Sequence, residues 1–217
     1  MGRMPLSPEA RQKVRDRLLD AAARVFESRG YRSARIEDIA RGAGVAVGTV
    51  YKYFPGKADL ILELQYRRLV AVCEEVEALA RREGAFCDKV RTYVERFVAF
   101  GAESRGFFET LRESPQFVQE SVAAHGDKVR RMHEVLDRIM GELATLMEQG
   151  IREGTLRPQS PEDLAQALLG LARGLTLRRF RQSRDLEDLS ARILDLFLHG
   201  AASRTGGPGA PCEGGPA

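Results

Sequence analysis

Apolar residues recur at every third or fourth position along most of this 217-residue chain, and no run of four to eight residues alternates between apolar and polar. A 3–4 spacing places apolar side chains on one face of an α-helix, whereas alternation would indicate a β-strand. Residues 129–147 are one clear example of the helical spacing. The sequence therefore predicts an all-α fold, with three short-to-medium helices followed by about six longer ones.

Glycine, proline and serine residues indicate where the helices begin and end. Gly30 is expected just past the end of the first helix, and Gly44 in a tight turn between two short helices. Pro55 cannot continue the short helix predicted for residues 47–53. Further boundaries are predicted at Gly84, at Ser104–Gly106, at Ser114–Pro115, at Gly150 or Gly154, at Ser160–Pro161 with Ser160 as N-cap, and at Ser183 or Asp185.

The composition of the chain excludes several classes of protein. Hydrophobic residues make up 43% and charged residues 30%, which is typical of a soluble globular protein. No apolar run approaches the ~20 residues of a membrane span, and the amino terminus lacks the apolar core of a secretory signal. The three cysteines have no CxxC spacing, so neither disulfides nor a zinc site is predicted. We expect a cytoplasmic protein with no membrane partner.

Positive charge is concentrated in the amino-terminal part of the chain. Residues 1–57 contain 12 Lys and Arg against 6 Asp and Glu, a balance of +6, although the whole chain carries only +3. Residues 58–217 therefore carry −3. This asymmetry indicates a polyanionic partner for the amino-terminal part, and a solvated basic helix surface is the alternative.

The segment "IEDIARGAGVAVGTVYKYF" contains two short helices joined by a glycine turn, which is the pattern of a helix-turn-helix. In this geometry the first turn of the second helix enters the major groove of DNA. Val47 is expected to contact a thymine methyl, Gly48 to allow close approach of the backbone, and Thr49 to hydrogen-bond a base or a phosphate. Further contacts to the groove and to phosphates are expected from Tyr51, Lys52, Tyr53 and Lys57. The alternative is that Val50, Tyr51 and Phe54 are core residues of an ordinary three-helix bundle.

Residues 11–60 resemble the amino-terminal domain of the tetracycline-repressor (TetR) family of transcriptional regulators. The matching string is "LLDAAARVFESRGYRSARIEDIARGAGVAVGTVYKYFPGKADLI", with its "A…F…GY" helix end, "DIA…AGV" middle, "GTVYKYF" and "F-P-x-K" junction. The resemblance has many fixed offsets and covers about a quarter of the chain. The rest agrees only in being helical and of suitable length.

The resemblance implies an all-helical homodimer with a ligand pocket in its larger domain. The last two long helices of each subunit would form a four-helix interface. Carried over residue by residue, Val47, Gly48, Thr49, Tyr51 and Lys52 face the groove, and Tyr53 and Lys57 contact phosphates. We divide the chain into a DNA-binding domain of residues 1–57, an effector-binding and dimerisation domain of residues 58–202, and a flexible tail of residues 203–217.

Arg35 is a departure from the family, because many members have threonine at this position before the "IEDIA" helix. Arginine cannot cap a helix as threonine does, so Ser33 is expected to provide the cap, and Arg35 is expected to reach a phosphate. The second short helix also has no Arg, Asn or Gln between residues 45 and 51. We therefore expect specificity to depend on thymine-methyl contact, backbone approach and DNA shape.

Bulky apolar residues in the larger domain are candidates for an effector pocket. They are Phe97, Phe100, Phe107, Phe108, Phe117, Met132, Leu136, Met140, Leu171 and Leu175. The scarcity of inward-facing charge favours a small apolar or acyl-type effector, and the methionines would allow some breadth of ligand shape. The alternative for each residue is an ordinary core position, because an apolar helical stripe is usually core.

Two groups of polar residues remain, one of arginines and one of histidines. The arginines of residues 173–184 would bind an anionic ligand group or form a solvated helix end. His125 and His133 are eight residues apart, too far along one helix to share a metal ion, so no metal is predicted. No enzymatic motif is present in the sequence, and neither an enzymatic activity nor a cofactor is expected.

Together these patterns predict a dimeric transcriptional regulator that binds double-stranded operator DNA and responds to a small ligand. Repression relieved by the effector is the expected mode, with activation left open. The rival is a helical protein–protein interaction module whose helix-turn-helix no longer reads DNA.

Overall fold

A computed structural model describes residues 7–113, 126–181 and 188–200 of the chain. Within these ranges the chain forms nine helices joined by turns, without a β-strand, which confirms the all-α prediction. The helices are α1 (Pro8–Ser33), α2 (Ile36–Ala43), α3 (Val47–Tyr53), α4 (Lys57–Arg81), α5 (Phe86–Glu103), α6 (Arg105–Glu113), α7 (Gly126–Arg152), α8 (Pro161–Arg181) and α9 (Leu189–His199). None of these helices is long and apolar enough to cross a membrane.

The amino-terminal helices close around a core of their own. We call α1, α2, α3 and residues 57–64 of α4 the head. Its core contains the fully buried side chains of Leu18, Ile39, Val50 and Phe54. The three-residue spacings in α2 and α3 place these side chains inward, so both short helices depend on the core for stability.

Two glycines shape the head where the backbone takes a positive φ. Gly44 has φ 66° and ends α2, and its N–H bonds to the carbonyls of Ala40 and Arg41. Gly30 has φ 71° and interrupts α1, which confirms the predicted break. The regular helix therefore ends at Gly30, as predicted, and a short helical segment beyond the kink continues to Ser33.

Helix α4 contributes to both cores of the molecule. Leu60, Ile61 and Leu64 are buried in the head core, whereas the second core buries five residues further along the helix: Leu69, Val72, Cys73, Val76 and Leu79. A rigid helix of 25 residues therefore joins the two regions without a linker. The predicted boundary after residue 57 stays a prediction, and the head core reaches seven residues beyond it to Leu64.

The larger domain, residues 65–200, packs α5, α7, α8 and α9 with the rest of α4. Phe86, Leu143, Met147 and Ile193 are among its fully buried side chains. Gly150 is required by this packing, since an added Cβ would lie 2.9 Å from the side chains of Phe86 and Leu156. The predicted helix end in this region is confirmed, because α7 ends at Arg152 and Gly154 follows with φ 74°.

Capping confirms one prediction and corrects another. Ser160 accepts a hydrogen bond from the backbone N–H of Asp163 at 3.1 Å, which confirms it as the N-cap of α8. The prediction that Ser33 caps α2 is wrong. Arg35 occupies the N-cap position and no side chain caps this helix. The predicted boundaries at Ser114–Pro115, Ser183 and Asp185 lie outside the described residues, as do Phe117, His125 and the tail 203–217.

Candidate nucleic-acid interface and apolar cavity

Helix α3 has an inner face that is fixed by the head core and an outer face that is open. Val50 and Phe54 are 0% and 1% exposed, so the core interpretation applies to these two residues. Tyr51 lies on the outer face and is 52% exposed. Gly48 and Lys52 are also exposed. The outer face of α3 is therefore an open surface that carries the hydroxyl group of a tyrosine and the positive charge of a lysine.

The other predicted contact residues surround this outer face. Val47 and Tyr53 are half-buried and pack against the edge of the head core, and Thr49 is half-buried between exposed Gly48 and buried Val50. An added Cβ at Gly48 would have no atom within 4 Å, so the head itself does not require a glycine there. The space beside residue 48 is open on the outer face of α3.

Ser33 and Arg35 lie exposed at the turn between α1 and α2. They share a surface depression with Arg29, Asp38 and Arg41. Asp38 bonds to the guanidinium groups of both Arg29 and Arg41, the latter at 3.3 Å. Two arginines on one carboxylate leave this part of the surface net positive.

Lys57 joins the start of α4 to the end of α1. Its Nζ donates to the carbonyl oxygens of Tyr31, Arg32 and Ala34 at 2.9, 3.1 and 3.0 Å. An ammonium group has three N–H donors, so all three are engaged by the protein backbone. Partial burial lowers the pKa of Lys57. The predicted phosphate contact of this residue stays a prediction, and the geometry gives the side chain a structural role that the sequence did not indicate.

A cavity of about 220 Å³ lies in the larger domain, between α4, α5, α6, α7 and α8. Six of the predicted effector residues line it: Phe97, Phe100, Phe107, Phe108, Met132 and Leu136. Leu136 is 41% exposed and marks the mouth of the cavity. Most of the wall is built from aromatic and aliphatic side chains, which suits an apolar ligand, and Gln65, Arg173 and Thr176 are its polar members.

Three predicted effector residues do not line this cavity. Met140, Leu171 and Leu175 are half-buried and pack against the second core, as their core interpretation expected. The wall has seven further residues outside the predicted apolar set: Gln65, Leu69, Gly101, Leu169, Arg173, Thr176 and Leu177. Of these, only Arg173 is considered as a ligand contact from the sequence, as part of the arginine cluster. The i, i+4, i+7 spacing of residues 169, 173 and 176 places them on one face of α8, but a polar residue on such a face gives no signal in an apolar pattern.

The arginine cluster separates into different environments. Arg173 is exposed and lines the cavity, while Arg178 is exposed outside it. Arg184 and the side chain of Arg181 are outside the described part of the chain. Among the described residues, no three His, Cys, Asp or Glu side chains are grouped as metal ligands.

Ion pairs connect the wall of the cavity with the head. Lys128, one turn before Met132 on α7, bonds to Asp59 of α4 at 2.6 Å. Arg131 of α7 lies 3.9 Å from Glu63 of α4, which bonds through its other oxygen to Arg15 of α1 at 2.8 Å. We call these five residues the α7–α4–α1 ion-pair chain. The Arg15 guanidinium also lies 5.2 Å from the ring centre of Phe54, at the end of α3.

The head matches a known family. The profile of the family described as "Bacterial regulatory proteins, tetR family" matches residues 18–64, and its last matched residue is the last of the head core. The crystal structure of the TetR transcriptional regulator SCO0520 from Streptomyces coelicolor is 30% identical, with a TM-score of 0.56 over 86% of this chain and 97% of that chain. The chain belongs to the TetR family. It is a DNA-binding transcriptional regulator, as predicted.

Two further relatives of this TetR-family regulator are similar over most of their length. The fatty acid metabolism regulator protein of Bacillus subtilis is 23% identical over 84% of this chain and 93% of that protein. The structure of B. subtilis FadR in complex with stearoyl-CoA has a TM-score of 0.64 at 21% identity, over 87% of this chain and all of that chain. The transcriptional repressor KstR2 of Rhodococcus jostii is 26% identical over 87% of this chain and 91% of that protein.

Proposed function

We propose that this TetR-family regulator is a homodimeric repressor that leaves its operator when an apolar or acyl-type effector enters the cavity. The observation that carries the proposal is that α7 contacts both the cavity and the head. It lines the cavity through Met132 and Leu136, and its Lys128 forms an ion pair with Asp59 of the head. A ligand that changes the position of α7 would act on the ion pairs that hold the head. The two relatives that are named as a repressor and as a fatty acid metabolism regulator support this direction.

The DNA contacts of the proposal lie on the outer face of α3. Val47 contacts a thymine methyl, Gly48 admits the backbone, and Thr49 bonds to a base or phosphate. Tyr51, Lys52 and Tyr53 supply hydroxyl and ammonium groups to the groove and backbone. Because residues 45–51 have no Arg, Asn or Gln, operator choice depends on thymine contacts and DNA shape. Operators selected in vitro with several invariant G·C pairs under α3 would contradict this reading.

The dimer of the proposal forms through α8 and α9. Gly170 and Gly174 lie four residues apart on α8, and an added Cβ at either would meet nothing within 4 Å. Leu171 and Leu175 flank them and are only half-buried within one subunit. A helix from a second copy can therefore approach closely and cover the leucines. Gly170→Arg is expected to convert the dimer to a monomer in sedimentation velocity, whereas Gly141→Arg, at an open glycine on α7, is the matched control.

The ligand class rests on the cavity wall. Four phenylalanines and a methionine line it, and the related FadR structure contains stearoyl-CoA. Aromatic and methionine side chains adapt to chains and rings of differing shape. The effector is thus an apolar or acyl-type molecule rather than a small polar metabolite.

Fluorescence anisotropy tests the proposal directly. The probe is DNA from upstream of the protein's own gene, at two salt concentrations, with fatty acids, acyl-CoA thioesters, aromatic compounds and cationic drug-like compounds added in turn. We expect salt-sensitive binding that one apolar or acyl class reverses. Binding that no compound relieves contradicts the effector-released mechanism. Absence of specific binding, also after selection from genomic DNA, favours the protein-interaction module.

Two charge-removing variants distinguish a phosphate contact made by α3 from a general effect of the protein's net charge on DNA binding. Lys52→Gln on α3 is expected to weaken binding and to reduce the slope of log affinity against log salt by about one. Arg157→Gln removes one exposed charge from the larger domain and is expected to leave that slope unchanged. Equal effects of the two substitutions would show that the interface does not lie on α3.

A further inference from the structure

One polar atom in the cavity wall has no partner. Thr176 is only 3% exposed, and its hydroxyl Oγ1 makes no hydrogen bond within the described part of the chain. A threonine in a helix can bond back to the carbonyl four residues earlier, and Thr145 of α7 does so with Gly141 at 3.1 Å. Buried polar groups without a partner are rare and unfavourable in folded proteins. Thr176 lines the cavity but its hydroxyl oxygen is fully covered, so an oxygen of a bound ligand would supply the missing partner after a small shift of the neighbouring side chains.

Two further polar side chains line the same cavity. Gln65 of α4 is 3% exposed and brings an amide to the wall. Arg173 lies one helical turn before Thr176 on α8 and is exposed. The three polar groups thus run from the interior towards solvent, with the neutral groups inside and the positive charge outside. The rest of the wall is apolar.

We propose that Thr176 and Gln65 hydrogen-bond an oxygen of the effector, while Arg173 faces its negative charge at the mouth. The effector is then an amphipathic acyl compound, in which an apolar chain ends in a carboxylate or in a thioester with an anionic carrier. The proposal rests on the proposed function, because it concerns the head group of the molecule that fills that cavity. It excludes purely apolar effectors and cationic ones.

Two other buried polar atoms help to isolate the role of Thr176. The hydroxyl of Ser104 and one carboxylate oxygen of Glu63 also lack a hydrogen-bond partner within the described residues. Neither residue lines the cavity. Ser104→Ala therefore removes a buried, unpartnered hydroxyl at a place where no ligand is expected, and it is a matched control for Thr176→Val.

The test is a displacement titration on the full chain. N-phenyl-1-naphthylamine, an uncharged apolar dye, is bound first, and decanoate, decanoyl-CoA and decyltrimethylammonium are then added as competitors. We expect decanoate or decanoyl-CoA to displace the dye, and the stronger of the two identifies the free acid or the thioester as the source. Thr176→Val is expected to weaken that competitor about two- to tenfold, which is the range of one hydrogen bond, after each protein's own affinity for the dye has been measured and taken into account. Arg173→Gln is expected to weaken it about two- to fivefold, and less at high salt.

The melting temperature separates ligand binding from a structural role. Replacing an unpartnered buried hydroxyl by a methyl group should leave the unliganded protein as stable as before or more stable. A lower melting temperature of Thr176→Val would show that the hydroxyl serves the fold. Displacement by decyltrimethylammonium alone, or equal weakening by Ser104→Ala, overturns the acyl head-group proposal while the cavity remains a ligand site. If neither the dye nor any competitor binds to the wild-type protein, the proposed effector-binding function itself fails.

Discussion

In the head, α3 buries Val50 and Phe54 and leaves Gly48, Tyr51 and Lys52 at the surface. In the larger domain, most of the side chains that line the cavity are phenylalanines, leucines and a methionine, the same kinds that fill the core beside it. Function in the head therefore depends on what the core leaves outside. Function in the larger domain depends on where the core fails to close, and this is a property of packing rather than of residue type.

The two regions also fix their helix ends in opposite ways. In the head, the cation of Lys57 binds three carbonyls at the end of α1. In the larger domain, the carboxylate of Glu153 accepts the backbone N–H of Phe86 at the start of α5, at 3.0 Å. Each charge matches the helix terminus it binds. In both cases the capping residue is distant in sequence from the helix end that it binds. Sequence patterns of local capping therefore do not reveal these two caps.

The largest expected effect is that of removing the Lys57 cap. Lys57→Met deletes three hydrogen bonds from a charged donor and leaves three carbonyls near the surface, so we expect a loss of about 2–4 kcal/mol in the free energy of unfolding. Chemical denaturation followed by circular dichroism measures this loss. Lys52→Met, at an exposed position on α3, is the matched control and should change stability by less than about 0.5 kcal/mol.

The same variant tests the phosphate contact that the sequence predicted for Lys57. If the ammonium leaves the α1 carbonyls for DNA, Lys57→Met will reduce the salt dependence of DNA binding by about one phosphate contact. The stability of the free protein would still fall, because the ammonium bonds to these carbonyls when no DNA is present. A large loss of stability with an unchanged salt slope assigns the side chain to the head alone.

The next effect separates two glycines. Gly48→Ala adds a methyl group where the structure has open space, so the helix should gain up to about 1 kcal/mol, while operator affinity should fall about tenfold because the backbone is held away from the groove. Gly48→Leu should lower affinity further. Gly150→Ala, in contrast, places a methyl group 2.9 Å from Phe86 and Leu156 and should destabilise the protein by about 1–3 kcal/mol. Gly48→Ala that binds operator normally contradicts the close approach at α3.

The sequence predicted the head more completely than the larger domain. The bounds of α3, the N-cap at Ser160 and the outer residues of the helix-turn-helix were predictable, because they depend on local spacing and turn chemistry. The family match of residues 18–64 lies in this same part of the chain. The break at Gly30 was predictable in the same way, whereas the short helical segment that follows it up to Ser33 was not predicted.

The cavity was predicted only in part. Six apolar wall residues were identified because they form a bulky band, but Met140, Leu171 and Leu175 belong to an identical band and pack into the core. Thr176 and Gln65 gave no signal at all, because a single polar residue on an apolar helix face has the same pattern whether it meets a ligand or solvent. Only the relative placement of five helices distinguishes these cases.

A smaller effect is expected from the connection between the two regions. The double variant Asp59→Asn, Lys128→Met removes the ion pair of α4 and α7 without leaving an unpaired buried charge. We expect the effector to bind the double variant as it binds the wild type. Its weakening effect on operator binding should be about fivefold smaller than in the wild type, which is a loss of about 1 kcal/mol in the coupling between effector and operator binding. Dye displacement and anisotropy measured together give the two values. Arg130→Met, whose ion pairs stay within α7, is the control, and equal coupling in both variants would exclude this route.

The smallest effect concerns the acid stability of the larger domain. Hydrogen bonds from Gln149 and from the backbone of Phe86 lower the pKa of Glu153. A carboxyl group with a lowered pKa in the folded state stabilises the protein above the unfolded value of about 4.3, and this stabilisation is lost as pH falls through the folded pKa. Glu153→Gln should therefore flatten the decline in melting temperature below about pH 4.5 relative to the wild type. Glu148→Gln, which removes only an exposed pair with Arg152 one turn away, should leave the decline unchanged. Identical acid profiles of all three proteins would mean that solvent satisfies the N–H groups at the start of α5. In that case only the head would use a charged side chain to cap a helix end.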